Sequence, residues 1–443
     1  MRFRDAGKLF CQYAVPQMTG LLFNSVYLLV DGIFIGRLLG RNSLAAAGIA
    51  VPLTELLIAV SMAVAAGSGA LISSQLARHR SEEANGTFHT AVLALGMISV
   101  IVLLITKGFA GWICRALGAT EEIARDAQVY LRTVMAGSPF QLFSFLLGGM
   151  ARNDRTPKLA MAAMTIGALS NIVLDWVFMG PLGMGIFGAA LATAIGPVIA
   201  CGILLPHFLK GKGELSFTGT WRMYRPGRIL LSGIPSFVLE FTIGMITFLM
   251  NRAMVDHGYG EVGLAAYLLI GYVLLIWLTL YLGMAEGLQP LFSRFAGTGD
   301  MNSQRTLLFF AATVFPIVGL ICYALVLFGA KAFMGIFAPE DPVLVQFAAD
   351  RCPAYFSGFV FAGWGILMIS YWQAVGEVRK ALIVSVARAV LFPLCFIILL
   401  PAALGTEAIW TAHSAAEAAA ALLCAILIRR KPRHDRSAGQ NGA

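Results

Sequence analysis

The chain has 443 residues, of which 58% are hydrophobic and only 12% charged, with a mean hydropathy of +0.79. A soluble domain carries about 25% charged residues, so the composition excludes an ordinary soluble protein, and the long continuous apolar runs exclude an alternating-strand barrel. The net charge of +9 does not indicate nucleic-acid binding, because the basic residues sit in short loops between apolar runs. The seven cysteines (Cys11, Cys114, Cys201, Cys322, Cys352, Cys395, Cys424) are scattered. They show neither a CxxC pair nor metal-ligand spacing and read as small apolar fillers.

The first apolar run follows MRFRDAGK and is too long for a cleavable signal core, so it reads as an uncleaved first span. In chain order, twelve candidate helices cover about 10–36, 44–73, 87–113, 126–150, 159–179, 187–208, 229–254, 263–290, 305–329, 343–373, 381–400 and 407–428. Each is long enough to cross a bilayer, and tilt absorbs the excess. The expected fold is an all-α polytopic membrane protein of two six-helix lobes, 1–210 and 229–428. A linker loop at 211–228 joins them, and a basic tail at 429–443 follows. Twenty-two of the 32 Lys and Arg residues fall in loops on one side. This bias predicts that both termini are cytoplasmic.

A shift of about 220 residues lays the second half on the first. Ala45-Ala46 meets Ala265-Ala266, Gly67 meets Gly287, Pro181 meets Pro401 and Gly185 meets Gly405. With a one-residue slip, Arg132 meets Arg351 and Pro16 meets Pro235. Six spans per half give a parallel repeat about an axis normal to the membrane, the architecture of a transporter whose halves rock against each other.

The halves differ in what they bury. Span 1 carries Tyr27 and Asp31, and span 5 carries Asn171 and Asp175, each pair four residues apart and so on one helix face. Span 6 adds Thr193. The equivalents about 220 residues on are Asn251, Leu391, Cys395 and His413, so the second half lacks both acids. An intramembrane carboxylate costs about 2.5–3.5 kcal/mol on insertion scales, which makes a functional site the default reading. Two carboxylates close together in a low dielectric cannot both ionise cheaply, so the pair can take a proton. With Asn171 and Thr193 as neutral oxygen donors, it can also hold Na⁺. No other cofactor is indicated.

Other buried polar groups are weaker candidates. Glu240, five residues after Pro235, and Glu286 in GMAEGLQP are candidate cleft residues, the latter as an attractor of cations. Met245, Tyr281 and Met284, with Met250 and Trp277, form a candidate adaptable apolar lining. Arg132, Arg351, Glu55, Arg388, Glu407 and Glu417 read as structural, and His413 as a satisfied core histidine.

The runs VPQMTGLLFNSVYLLVDGIFIGRLLG, LAAAGIAVP, GLAAY, GMAEGLQPLFSRFAGTGD and YWQAVGEVRKAL, in this order along the whole chain, resemble the multidrug and toxic compound extrusion (MATE) transporters, and the bacterial drug exporters among them. The resemblance implies two six-helix lobes around a cleft open to one side at a time, and drug export driven by inward H⁺ or Na⁺. It also implies that Asp31, Asn171, Asp175 and Thr193, with Tyr27 beside them, form the first-lobe cation site. Pro16 would be the hinge where span 1 bends, and Glu240 the span 7 glutamate of some branches. Two departures stand out. Glu286 occupies a position where the family pattern has a neutral residue, and Cys395 replaces any second-lobe acid in span 11. The expected partners are small-molecule drugs or toxic organic cations and the bilayer, with no nucleic acid, and because a single chain already holds both lobes a monomer is expected.

The competing readings are a flippase, a membrane enzyme or receptor, an ATP-driven pump and a major-facilitator protein. A flippase of a lipid-linked precursor would need a larger, more basic cleft. A membrane enzyme or an ATP-driven pump would need a motif such as HExxH, GxSxG or GxxxxGK[ST], none of which appears. A major-facilitator protein would carry GxxxDRxGRR after span 2, where this chain reads SSQLARHRSEEANG.

Overall fold

Apolar runs of this length must satisfy their backbone hydrogen bonds within themselves when lipid surrounds them, and the described residues form helices and no strand. The computed structural model describes residues 1–429 apart from 118, 120, 219–220, 222 and 338–340. The side chains of 41, 242–245, 247–248, 251–252, 255, 260–261, 264 and 337 fall outside the description as well. The expected tail, from 430 on, and the Met245 side chain therefore lie outside the described residues.

In order, the helices are α1 (Phe3–Phe34), α2 (Arg41–Ala77), α3 (Ser81–Ala116), α4 (Ala124–Asn153), α5 (Pro157–Met179) and α6 (Gly185–Leu209). The second half contains α7 (Pro226–Asp256), α8 (Gly260–Thr298), α9 (Met301–Phe337), α10 (Pro342–Phe356), α11 (Phe359–Ala374), α12 (Val378–Val386), α13 (Phe392–Leu404) and α14 (Ala412–Arg429). Among the described residues, ten segments are long and apolar enough to cross a membrane, and the pair α10–α11, bent by 53°, makes an eleventh. One of the ten is α12–α13, joined through a π turn at Ala387–Leu391. With α7, 31 residues long, the segments take the twelve places expected. Large apolar side chains such as Phe328, Trp112 and Leu104 point outward, where lipid rather than water makes them stable.

The first lobe packs α4 against α2, α3 and α6, and α5 against α1 and α6. Its core contains Phe88, Leu95, Leu131, Leu142, Leu146 and Phe208. The second lobe packs α11 against α8, α9 and α14. Its core takes in Ala6, Phe10, Tyr13 and Ala14 from the start of α1. Helix α1 therefore begins in one lobe's core and continues into the other lobe, where it packs on α5.

The lobes meet where α1 packs on α8 and α2 on α7. These seams are at the end that holds the N-terminus of α1 and most of the basic loops, called the basic end below. A side chain on Gly67 of α2 would collide with Ile229 and Gly233 of α7; one on Gly287 of α8 would lie 2.6 Å from the Ala14 Cα of α1. Gly67 and Gly287 are repeat equivalents, as are Ala14 and Gly233, so the two seams are copies of one contact. Small residues let backbones approach closely enough for dispersion to hold helices together without a hydrophobic drive.

The 211–228 segment does not hang free as a loop. Asp154 accepts from Glu214 N at 2.8 Å and faces His207 Nε2 at 2.7 Å; Asn85 Oδ1 accepts from Ser216 N; Thr90 Oγ1 accepts from Tyr224 N. The segment is strapped across the first lobe.

Candidate functional site

Asp31 sits near the C-terminal end of α1, four residues before a π turn at Ile35–Leu39, a distortion often found at functional sites. Asp31 is 8% exposed, and Asp175 and Asn171 on α5 are 0% and 2% exposed. The two carboxyl groups are close enough to act on each other electrostatically. Yet Asp31 Oδ1, both oxygens of Asp175 and both polar atoms of the Asn171 amide have no hydrogen-bond partner among the described residues. Buried polar atoms are nearly always satisfied, which makes this cluster the leading candidate for a site. Its helices come close because Gly167 and Gly196 face one another across the α5–α6 contact, where a Cβ on either would sit about 3 Å from the other's carbonyl oxygen.

Thr193 of α6 and Tyr27 of α1 line both cavities that meet at this cluster. The larger, about 370 Å³, lies between α1, α2, α4, α6 and the start of α8. Its wall is mainly apolar, carries the carboxylates of Asp31 and Glu55, and among the described residues includes no Lys or Arg. Below it, Ser25 and Thr279 share a hydrogen bond of 2.7 Å between α1 and α8. From there to the basic end the lobes are in contact, so the cleft is closed at the basic end. Helix α1 runs α-helical through Pro16, whose ring removes the N–H that would bond the Gln12 carbonyl.

Several sequence expectations change. Tyr281 is not part of the cleft: it is 1% exposed, donates to the Phe359 carbonyl at 2.8 Å and stacks on Phe315. Met284 is fully buried in the same core, with Trp277 and Met250. Glu286 is not a bare cation attractor. It accepts from Gln17 Nε2 at 2.6 Å and lies 3.6 Å from Arg152, which itself donates to Gln17 Oε1 at 2.9 Å. This buried triad joins α1 and α4 of the first lobe to α8 of the second. Glu240 lines a small cavity beside it with Glu286 and Arg152.

Two site residues escape the sequence reading. Glu55 is exposed to the larger cavity rather than paired at a span end. Tyr130 of α4, 7% exposed, lines the larger cavity with Asp31 and Thr193. A lone tyrosine in an apolar span was the only cue, and nothing in its spacing ties it to α1 or α6.

The comparisons with known proteins agree with this geometry. The MatE family model matches residues 16–177 and again 235–397, two copies offset by 219 and 220 residues, as the internal repeat requires. The multidrug export protein MepA of Staphylococcus aureus is 25% identical over 433 residues, covering 95% of this chain and 94% of its own. An outward-facing multidrug resistance MATE family transporter superposes with a TM-score of 0.90 at 24% identity, covering 95% of each chain. A MOP superfamily transporter from Pyrococcus furiosus, described by a binding pocket of reversed polarity, superposes at 0.88 with 22% identity and 95% coverage of each chain. The last two establish the fold alone. Taken with the family match over both halves, they place this chain in the MATE family of multi-pass membrane transporters, and it is a transporter and not an enzyme.

Proposed function

We propose that this protein is a secondary multidrug exporter that moves amphipathic organic cations out of the cell in exchange for an inward cation, by alternating access. The observation that carries the reading is the buried Asp31–Asp175 pair, with three of its four oxygens lacking a hydrogen-bond partner, at the inner end of an apolar cavity whose only charges among the described residues are carboxylates. That lining suits a cation and repels the phosphate groups of a lipid-linked precursor, which weighs against a flippase.

The coupling ion is H⁺ or Na⁺. Two neighbouring ionised carboxylates repel each other in a low dielectric, and a proton taken up by the pair removes that cost; this favours H⁺. Na⁺ would draw on the same oxygens with those of Asn171 and Thr193. In the cycle we propose, the cavity faces outward as the pair takes up the ion, the neutralised cluster draws α1 inward, and drug leaves. Asp31 lies 15 residues from Pro16, about 22 Å along the helix, so α1 links the ion site to the seam at the basic end. Each ligand shifts the two arrangements only by its differential affinity for them. In this reading the single chain suffices, with both termini in the cytoplasm of a bacterial inner membrane.

The test is ethidium transport in proteoliposomes under an imposed pH gradient or an imposed Na⁺ gradient, for wild type and Asp31→Asn. Transport driven by ΔpH alone and lost in the variant identifies proton antiport. Transport driven by Na⁺ alone makes the cluster a sodium site. A variant as active as wild type would sink the assignment of Asp31.

A further inference from the structure

At the basic end, outside the drug cleft, a further cavity of about 360 Å³ lies across the junction of the two lobes. That is within the size range of small-molecule sites. Its walls come from three separate parts of the chain. The α2–α3 turn contributes Arg78 and Arg80. The strapped segment and the start of α7 contribute Arg225 and Arg228. The ends of α8 and α11 close the opposite side. Four guanidinium groups therefore surround one cavity, with Glu83 as its single carboxylate.

The partners of these groups divide them into two kinds. Arg78 donates to the Gly297 carbonyl at 3.1 Å and pins the α2–α3 turn to the end of α8. Arg80 pairs with Glu83 at 3.3 Å, and Glu83 also accepts from the Tyr224 hydroxyl at 2.7 Å. Those bonds occupy the carboxylate. Arg225 lies beside the Tyr224 ring, and neither it nor Arg228 has an oxygen partner among the described residues. The segment carrying them is held in place by Thr90 and Asn85 of α3, so the two free guanidiniums are presented by a fixed backbone. A topology signal alone requires basic residues on this side, but not that four of them converge on one hollow between the lobes.

We propose that this cavity is a binding site for a phosphate-bearing anion, held by Arg225 and Arg228 with Arg80 at the rim. Guanidinium forks match phosphate oxygens in pairs, and four arginines around one carboxylate leave the hollow strongly positive. The ligand is either a soluble phosphate compound or the phosphate of an anionic lipid headgroup. The site is independent of which compound the cleft carries.

The experiment measures binding of inorganic pyrophosphate and of dioctanoyl phosphatidylglycerol to the purified full-length protein in neutral detergent, near physiological salt. Arg225→Gln/Arg228→Gln is compared with Lys210→Gln/Lys212→Gln, which removes equal charge from the same face outside the cavity. Losing charge-assisted hydrogen bonds should weaken binding by about tenfold or more in the arginine pair, whereas the lysine pair should change it by less than about twofold. Thermal unfolding of both variants checks that each is folded. Arginine-dependent binding of pyrophosphate identifies a soluble ligand, and arginine-dependent binding of the lipid alone identifies a headgroup. The proposal is overturned if neither probe binds, or if both double variants lose binding equally.

Discussion

The two lobes are copies of one scaffold with opposite electrostatic solutions. In the first, Asp31, Asn171 and Asp175 are buried with most of their polar atoms unpartnered. In the second, the equivalent positions Leu391, Cys395 and His413 include no acid, and the nearby charges are closed on themselves. Arg388, turned inward on the π turn, holds Glu417 through Nε at 2.8 Å and Nη2 at 2.7 Å. His413 stacks on Tyr355 with centroids 5.0 Å apart and stands 3.8 Å from Glu417. A buried charge is tolerable when its counter-ion is built in. The second lobe carries its own counter-ion, whereas the first-lobe acids have oxygens with no hydrogen-bond partner among the described residues. Duplication therefore need not yield two like polar clusters.

The sharpest way to break this contrast is Asp31→Asn, which keeps shape and removes charge. We expect gradient-driven transport to fall by at least about tenfold, the scale of an ordinary coupling free energy, with the unfolding temperature little changed; Asp175→Asn should behave alike. In the second lobe the expectation is reversed. Arg388→Met strands Glu417 in the core and should destabilise the protein by about 3–5 kcal/mol. The double variant Arg388→Met/Glu417→Leu should recover most of that stability and retain ion-driven transport. A double variant that folds normally but has lost coupling would show that the second lobe is more than a closed partner.

A smaller effect is expected at the seam. Glu286→Gln leaves Arg152 without its anion, so the basic-end closure should loosen and the transport rate should fall. If Glu286 only steadies that closure, the ratio of apparent KM for a cationic and a neutral substrate should stay within about twofold of wild type. A selective loss of affinity for the cation would return Glu286 to the substrate path.

The lobes, the repeat and the first-lobe cluster were legible in the sequence because each leaves a periodic trace. Glycines and prolines recur at one offset, and Asp31–Tyr27 and Asp175–Asn171 share faces four residues apart. What the sequence hid is partner identity. Gln17, Arg152 and Glu286 are separated by more than a hundred residues, and only the packing of α1 on α8 brings them together. Glu55 looked like a span-end charge because its depth along α2 does not reveal which side of the helix faces the cleft. Tyr281 and Met284 looked like lining because aromatic and Met residues at helical spacing are the same for a core and for a pocket.

The smallest effect tests that last ambiguity. Tyr281 stacks on Phe315, and its hydroxyl donates to the Phe359 carbonyl. Side chains on Gly319 or Gly363 would run into its ring. Tyr281→Phe removes one hydrogen bond and no volume. Hydrogen bonds between membrane helices average about 0.6 kcal/mol in double-mutant cycles, so the variant should unfold at a slightly lower temperature and transport every substrate with unchanged KM. Tyr272→Phe, at the wall of the larger cavity, is the matched comparison, because it alters a ring that a bound compound would touch. If Tyr281→Phe changed the substrate profile and Tyr272→Phe did not, the cleft would have to extend into the second-lobe core, and the division between an open first lobe and a closed second lobe would fail.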